Sequence, residues 1–110
     1  MRQVLLRDNN IYARYKSKLE LAHFCFCDAN SKVLEWAVEP FAVPYFFCGK
    51  HRRYYPDLFV RTQAGRYLIE IKYSKECALA MNQAKWAAAR QVQGVEFIVS
   101  TEIAPIFASL

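Results

Sequence analysis

Tyr55-Pro56-Asp57-Leu58-Phe59-Val60-Arg61-Thr62-Gln63-Ala64-Gly65-Arg66-Tyr67-Leu68-Ile69-Glu70-Ile71-Lys72-Tyr73 reads as two strands folded about a tight turn. Residues 53–61 and 67–73 are the expected strands, and Thr62-Gln63-Ala64-Gly65 is the turn. Side chains alternate along a strand, so Tyr67, Ile69, Ile71 and Tyr73 share one face and Leu68, Glu70 and Lys72 the other. A hairpin that pairs Thr62 with Gly65 sets Asp57 directly across from Glu70, with Cβ atoms about 5 Å apart. A two-residue slip keeps both carboxylates on one face, whereas a one-residue slip separates them. Pro56 fixes its own φ and holds Tyr55 extended, which gives Asp57 a defined direction into its strand.

Two carboxylates held that close repel each other and call for a cation. Their hard oxygen ligands suit Mg²⁺ or Mn²⁺. Lys72 projects to the same face, where it can stabilise charge building on an attacked phosphate or orient the attacking water. The ordinary alternative is a half-buried strand whose wet face carries Glu70 and Lys72 as an ion pair.

Working outward, residues 11–30 are expected to form a helix, with Leu19, Ala22 and Phe26 near helical spacing and Asp28-Ala29-Asn30-Ser31 as its stop. Residues 33–38 read as a strand broken by Pro40. Residues 41–47 read as a second extended piece whose Pro44 suits an edge. Cys48-Gly49-Lys50-His51 is the turn into the motif-bearing strands. Ser74 is the expected N-cap of a helix over 75–93, with Cys77, Met81, Ala84, Ala88 and Val92 as its buried stripe and Gly94 as its stop. Residues 95–100 give a short apolar strand, and 104–110 a last helical turn. This order predicts an α/β fold, a central mixed β-sheet flanked by helices with an αβββαβ core.

The chain has 110 residues, 55% hydrophobic and 23% charged, which predicts one folded domain over 1–110 without a long linker. Its net charge is +5, and the excess is localised. Arg2, Arg7, Arg14, Lys16 and Lys18 face Asp8 alone in the first 18 residues, and Lys50, His51, Arg52 and Arg53 form a second cluster. Such clusters are either phosphate-binding surface or plain solvation. The apolar runs are too short to span a bilayer and no signal pattern opens the chain, so the expectation is a cytoplasmic protein without membrane partners. Cys25 and Cys27 point apart on a helix, and His23 with Cys27 makes no complete four-ligand set, so buried thiols are expected rather than zinc.

The order of these pieces resembles the PD-(D/E)xK nuclease superfamily: Pro56-Asp57, then Glu70-Ile71-Lys72. Ser17-Lys18-Leu19-Glu20 resembles the S-x-L-E of that superfamily's first helix. Glu39-Pro40 with Val43-Pro44-Tyr45, and the run from Gly94 to Glu102, resemble the lead-in and final strands of the TnsA transposase endonuclease family. The resemblance covers residues 17–105. It implies a metal-dependent DNA endonuclease with Glu20, Asp57, Glu70 and the Ile71 backbone as metal ligands and Lys72 as the catalytic lysine. TnsA-like subunits carry a further partner-binding domain, and this sequence stops at Leu110. A free-standing phage or mobile-element nuclease, similar to small Holliday-junction resolvases, is therefore equally expected. The competing class is a catalytically silent DNA- or partner-binding module that keeps the fold. One site cuts one strand, so a double-strand break implies a homodimer or a partner nuclease or transposase subunit.

Several residues stay open at this point. Glu20 either joins the metal site or pairs with Lys16 at the surface. Glu39 is a further acidic member or a solvated strand end. Gln83 and Lys85 reach substrate phosphates or sit in water. Lys50, His51, Arg52 and Arg53 are the best nucleic-acid contacts. The aromatic residues around them (Tyr45, Phe46, Phe47, Tyr54, Tyr55) are either core or a base-stacking platform.

Overall fold

The computed structural model describes residues 2–6, 11–73 and 79–101. Strands β1 (Arg2–Leu6) and β2 (Ile11–Tyr15) form an antiparallel pair, followed by helix α1 (Lys18–Ala29). Then come β3 (Glu35–Val38), β4 (Val43–Phe47), β5 (Lys50–Tyr54), β6 (Leu58–Thr62), β7 (Gly65–Ile71), helix α2 (Ala80–Ala89) and β8 (Glu96–Ser100). The central four-stranded sheet has the order β3-β6-β7-β8, with antiparallel neighbours except for the parallel pair β7-β8. With helices on its faces this is a mixed α/β fold of the restriction-endonuclease-like kind. Among the described residues no helix is long and apolar enough to cross a membrane.

The β6–β7 hairpin has the expected register: Thr62 pairs with Gly65 and Leu58 with Ile69. One helix boundary differs from expectation. Residues 11–15 pair as a strand, and α1 begins only after Ser17, whose hydroxyl accepts the Glu20 N–H at 3.1 Å. An N-cap fixes where a helix starts, and the aromatic and β-branched residues before it favour pairing. The expected strand over 53–61 is instead two strands, because Pro56 has no N–H for a ladder and interrupts it at the Pro56-Asp57 step. Ser74 and Cys77 of the expected second helix, and the helical turn over 104–110, lie outside the described residues.

Two apolar layers sandwich the sheet. On one side Phe24 and Cys27 of α1 pack against Leu58, Val60, Ile69 and Ile71. On the other, Trp86 and Ala89 of α2 pack with Val43, Tyr45 and Tyr54 of the β4–β5 hairpin, over Phe97 and Val99. The buried face of α2 is Asn82, Trp86 and Ala89, with Ala84, Ala88 and Val92 only partly covered. The expected Ala-rich stripe is thus rotated toward the tryptophan, whose large ring buries more surface than any alanine.

Candidate active site

Asp57 stands one step beyond the last β6–β7 pair, opposite Glu70. Leu58 and Ile69 are buried beneath α1, so alternation turns both carboxylates to the opposite face, toward α2 and the hairpin. Backbone bonds fix the position: the Asp57 carbonyl accepts the Glu39 N–H at 3.1 Å, and Oδ2 accepts the Ile71 N–H at 2.8 Å. Glu70 is almost fully buried, and the Trp86 indole Nε1–H donates to its Oε2 at 3.0 Å. Asp57 and Glu70 approach within hydrogen-bonding reach of each other. Burial first, then that bond and the charge of Glu70, push the Asp57 carboxyl up to about 9, so the pair retains a proton at neutral pH. The Ile71 N–H pulls the other way, and the charge of Glu20 adds a smaller upward push.

Tyr54, at the end of β5, closes this site. Its buried hydroxyl makes no hydrogen bond of ordinary geometry among the described residues. Burial, and then the negative charge of Glu70, hold it strongly toward the protonated form. Lys85 of α2 rests its Nζ 5.8 Å from the centre of the Tyr54 ring, which brings this cation to the rim of the same site.

Glu20 sits in the first turn of α1, near enough for its charge to act on Asp57. Its Oε1 accepts the Lys16 N–H at 3.2 Å while its own N–H is held by Ser17, a reciprocal arrangement close to a capping box. The Lys16 ammonium lies 3.8 Å from Glu39, on the exposed rim. Lys72 follows β7 directly, its backbone N–H donating to the Ser100 carbonyl at 3.1 Å. Alternation continues its side chain on the Glu70 face. Among the described residues no three His, Cys, Asp or Glu side chains converge into a complete cation cage.

The basic cluster lies apart from the carboxylates, along β5. Lys50, His51 and Arg53 are exposed, whereas Arg52 bonds through Nε to the Phe47 carbonyl at 3.1 Å and covers the Phe47 ring. Gln83 is exposed on α2. Cys25, Cys27 and Cys48 are free, with burial pushing the Cys27 thiol up to about 12. His23 is held between the Leu19 carbonyl and the Ser100 hydroxyl, which leaves it no part in a zinc site with Cys27.

Two residues of this site escaped the sequence reading, Trp86 and Tyr54. Neither shares an element with the carboxylates. The available signal for Trp86 was a large ring on an otherwise alanine-rich helix face.

Comparisons with known proteins place the chain in a family. The chain is similar to a head completion nuclease of enterobacteria phage T4, 29% identical over 80% of this chain and 77% of that protein. No solved structure matches. The family of TnsA-like endonuclease N-terminal domains matches residues 30–102, a span holding Asp57, Glu70, Lys72 and Trp86. The chain therefore belongs to the TnsA-like endonuclease N-terminal family of PD-(D/E)xK nucleases.

Proposed function

We propose that this domain hydrolyses phosphodiester bonds in DNA as an endonuclease that depends on Mg²⁺ or Mn²⁺. The observation that carries this reading is the buried pair Asp57 and Glu70, which faces one point with no cation paired to it among the described residues. Without an ion the pair must keep a proton at neutral pH, and two buried acids still cost more than apolar residues would in a domain that only binds. That weighs against the catalytically silent alternative.

The donor set fits a hard divalent ion. Asp57 and Glu70 would hold it, with the Ile71 carbonyl and Glu20 completing or bordering the site. A small ion of this type keeps several waters, so two protein carboxylates suffice without a full cage. When bound, the ion supplies a Lewis acid for the phosphoryl oxygen and makes water available as a nucleophile near neutral pH. Trp86 fixes one Glu70 oxygen by its indole N–H. That orients the carboxylate before substrate arrives. Lys72 places a positive charge where the phosphoryl oxygens gain negative charge, and Lys85 offers a second cation at the rim. Lys50, His51 and Arg53 would hold backbone phosphates away from the reacting centre.

On this reading the 110 residues act as one nuclease domain in the cytoplasm of a bacterial or phage-infected cell. They cut both strands only as a homodimer or with a partner subunit. The test is incubation of purified protein with linear, forked and four-way DNA in Mg²⁺, Mn²⁺ or Ca²⁺. Cleavage is expected with the first two and little with Ca²⁺, whose looser coordination positions water poorly. Cleavage that persists in excess EDTA contradicts the proposal.

A further inference from the structure

The β4–β5 hairpin belongs to neither edge of the central sheet. Its tip turns through Cys48 and Gly49, both at positive φ (52° and 72°), the backbone of a two-residue turn that matches strand twist. The ladder pairs Val43 with Tyr54, Pro44 with Arg53, Tyr45 with Arg52 and Phe46 with His51. Its inner side is anchored, since Val43, Tyr45 and Tyr54 pack against Trp86 and Ala89. The outer side therefore carries Pro44, Phe46, His51 and Arg53.

Of the aromatic residues in this segment, the structure assigns Tyr45 and Tyr54 to the core. Phe46 stands 60% exposed and Tyr55 49% exposed. The His51 ring meets Phe46 edge-on, with centroids 5.1 Å apart, and so steadies it without covering it. Between Pro40 and Asp57 the sequence holds no acidic residue, while Lys50, Arg52 and Arg53 supply three cations. Alternation sets Arg53 on the outer face with Phe46 and His51, and Lys50 and Arg52 on the other row. The outer face is thus aromatic with one cation and no acid, while the inner face of the same hairpin forms the wall beside Glu70.

We infer that this outer face binds a single-stranded nucleic-acid segment, with an unpaired base stacked on Phe46 and a flanking phosphate held by Arg53. The inference rests on the DNA-nuclease reading and adds its substrate class: DNA in which at least one base is unpaired. Phosphate contacts alone explain the cations but not the exposed ring. Inside a duplex, away from its ends, both faces of each base are covered by neighbours, so a π-face on the protein finds a partner only where a base is unstacked. The charge complements a polyanion and disfavours an acid-free hairpin pairing with a second, equally basic copy.

The experiment measures fluorescence anisotropy in EDTA, where binding is read without cleavage, on a single strand and on the matching duplex. A second probe carries 2-aminopurine within the single strand. Wild-type protein is expected to bind the single strand and quench the 2-aminopurine. Phe46→Ala should weaken single-strand binding on the order of tenfold, the scale of one missing base stack, and abolish quenching while changing duplex binding little. Phe46→Trp should restore both. Equal losses on the two probes, no loss, or no recovery in Phe46→Trp would overturn the inference while leaving metal-dependent cleavage intact. A dimer in sedimentation that Phe46→Ala dissolves would also overturn it, by assigning the face to a second copy. Absence of binding to the single strand would overturn this inference, while the DNA-nuclease reading falls only if no DNA is cleaved in Mg²⁺ or Mn²⁺.

Discussion

At the scale of single residues, Oε2 of the buried Glu70 carboxylate accepts the Trp86 indole N–H at 3.0 Å, a bond from outside the acid pair. Trp86→Phe keeps most of the ring and removes only that donor. Leaving a buried acceptor unsatisfied costs about 1–3 kcal/mol, so the thermal midpoint should fall measurably. If the bond also orients Glu70 for the ion, Mg²⁺ affinity read by calorimetry should fall as well. An unchanged affinity with a lowered midpoint would assign Trp86 to packing alone. Asp57 and Glu70 were legible in the sequence because a two-residue turn fixes their register locally, and each side chain's face follows from counting. Trp86 and Tyr54 were not, because helix and hairpin reach the carboxylates across the sheet, and no spacing along the chain encodes that approach.

At the scale of elements, His23 ties α1 to β8. Its Nδ1 meets the Leu19 carbonyl at 2.7 Å and its Nε2 the Ser100 hydroxyl at 2.6 Å. Burial lowers its pKa below the ordinary 6.5, with the Leu19 carbonyl opposing the shift. The unfolded chain then binds a proton more readily than the folded one. Stability from this group is fully present above pH 6.5 and is lost as pH falls toward the lower folded value, at up to about 1.4 kcal/mol per pH unit. Denaturant unfolding between about pH 7.5 and about pH 5 should show that loss, and His23→Gln should flatten it over this window. An equal slope in the variant would place the titration elsewhere. The sequence marked this helix but started it at Ile11 rather than Lys18, because Tyr12 and Tyr15 can serve either an amphipathic helix or a strand until Ser17 caps the one that forms. It joined the end of β5, from Arg53, to β6 and left Lys50 and His51 in the turn. Tyr54, Tyr55 and Phe59-Val60 favour strands and Pro56 alone divides them, whereas Lys50-His51-Arg52 carries little strand signal.

At the scale of the whole molecule, the +5 charge is distributed so that β5 carries an exposed basic edge while the carboxylates lie inside. Binding to duplex DNA should weaken steeply with salt through counterion release. Lys50→Ala with Arg53→Ala should reduce the slope of log affinity against log salt by roughly two, because two phosphates are then no longer neutralised by the protein. Arg52→Ala should reduce it less, because its guanidinium is already engaged with the Phe47 carbonyl and ring. An unaltered slope in the double variant would make the edge a solvated surface.

The central claim is that Asp57 and Glu70 hold the catalytic ion and Lys72 acts on the rate. It is tested most directly by calorimetric titration of Mn²⁺ into the wild-type protein and the Asp57→Ala, Glu70→Ala and Lys72→Ala variants, with nicking assays on the same samples. Both carboxylate variants should lose metal binding and cleavage together. Lys72→Ala should bind the ion at least as well as wild type, since a neighbouring cation is gone, yet cleave about 10²–10³ more slowly. Full metal binding and full cleavage by Asp57→Ala would contradict the account and place the active centre elsewhere.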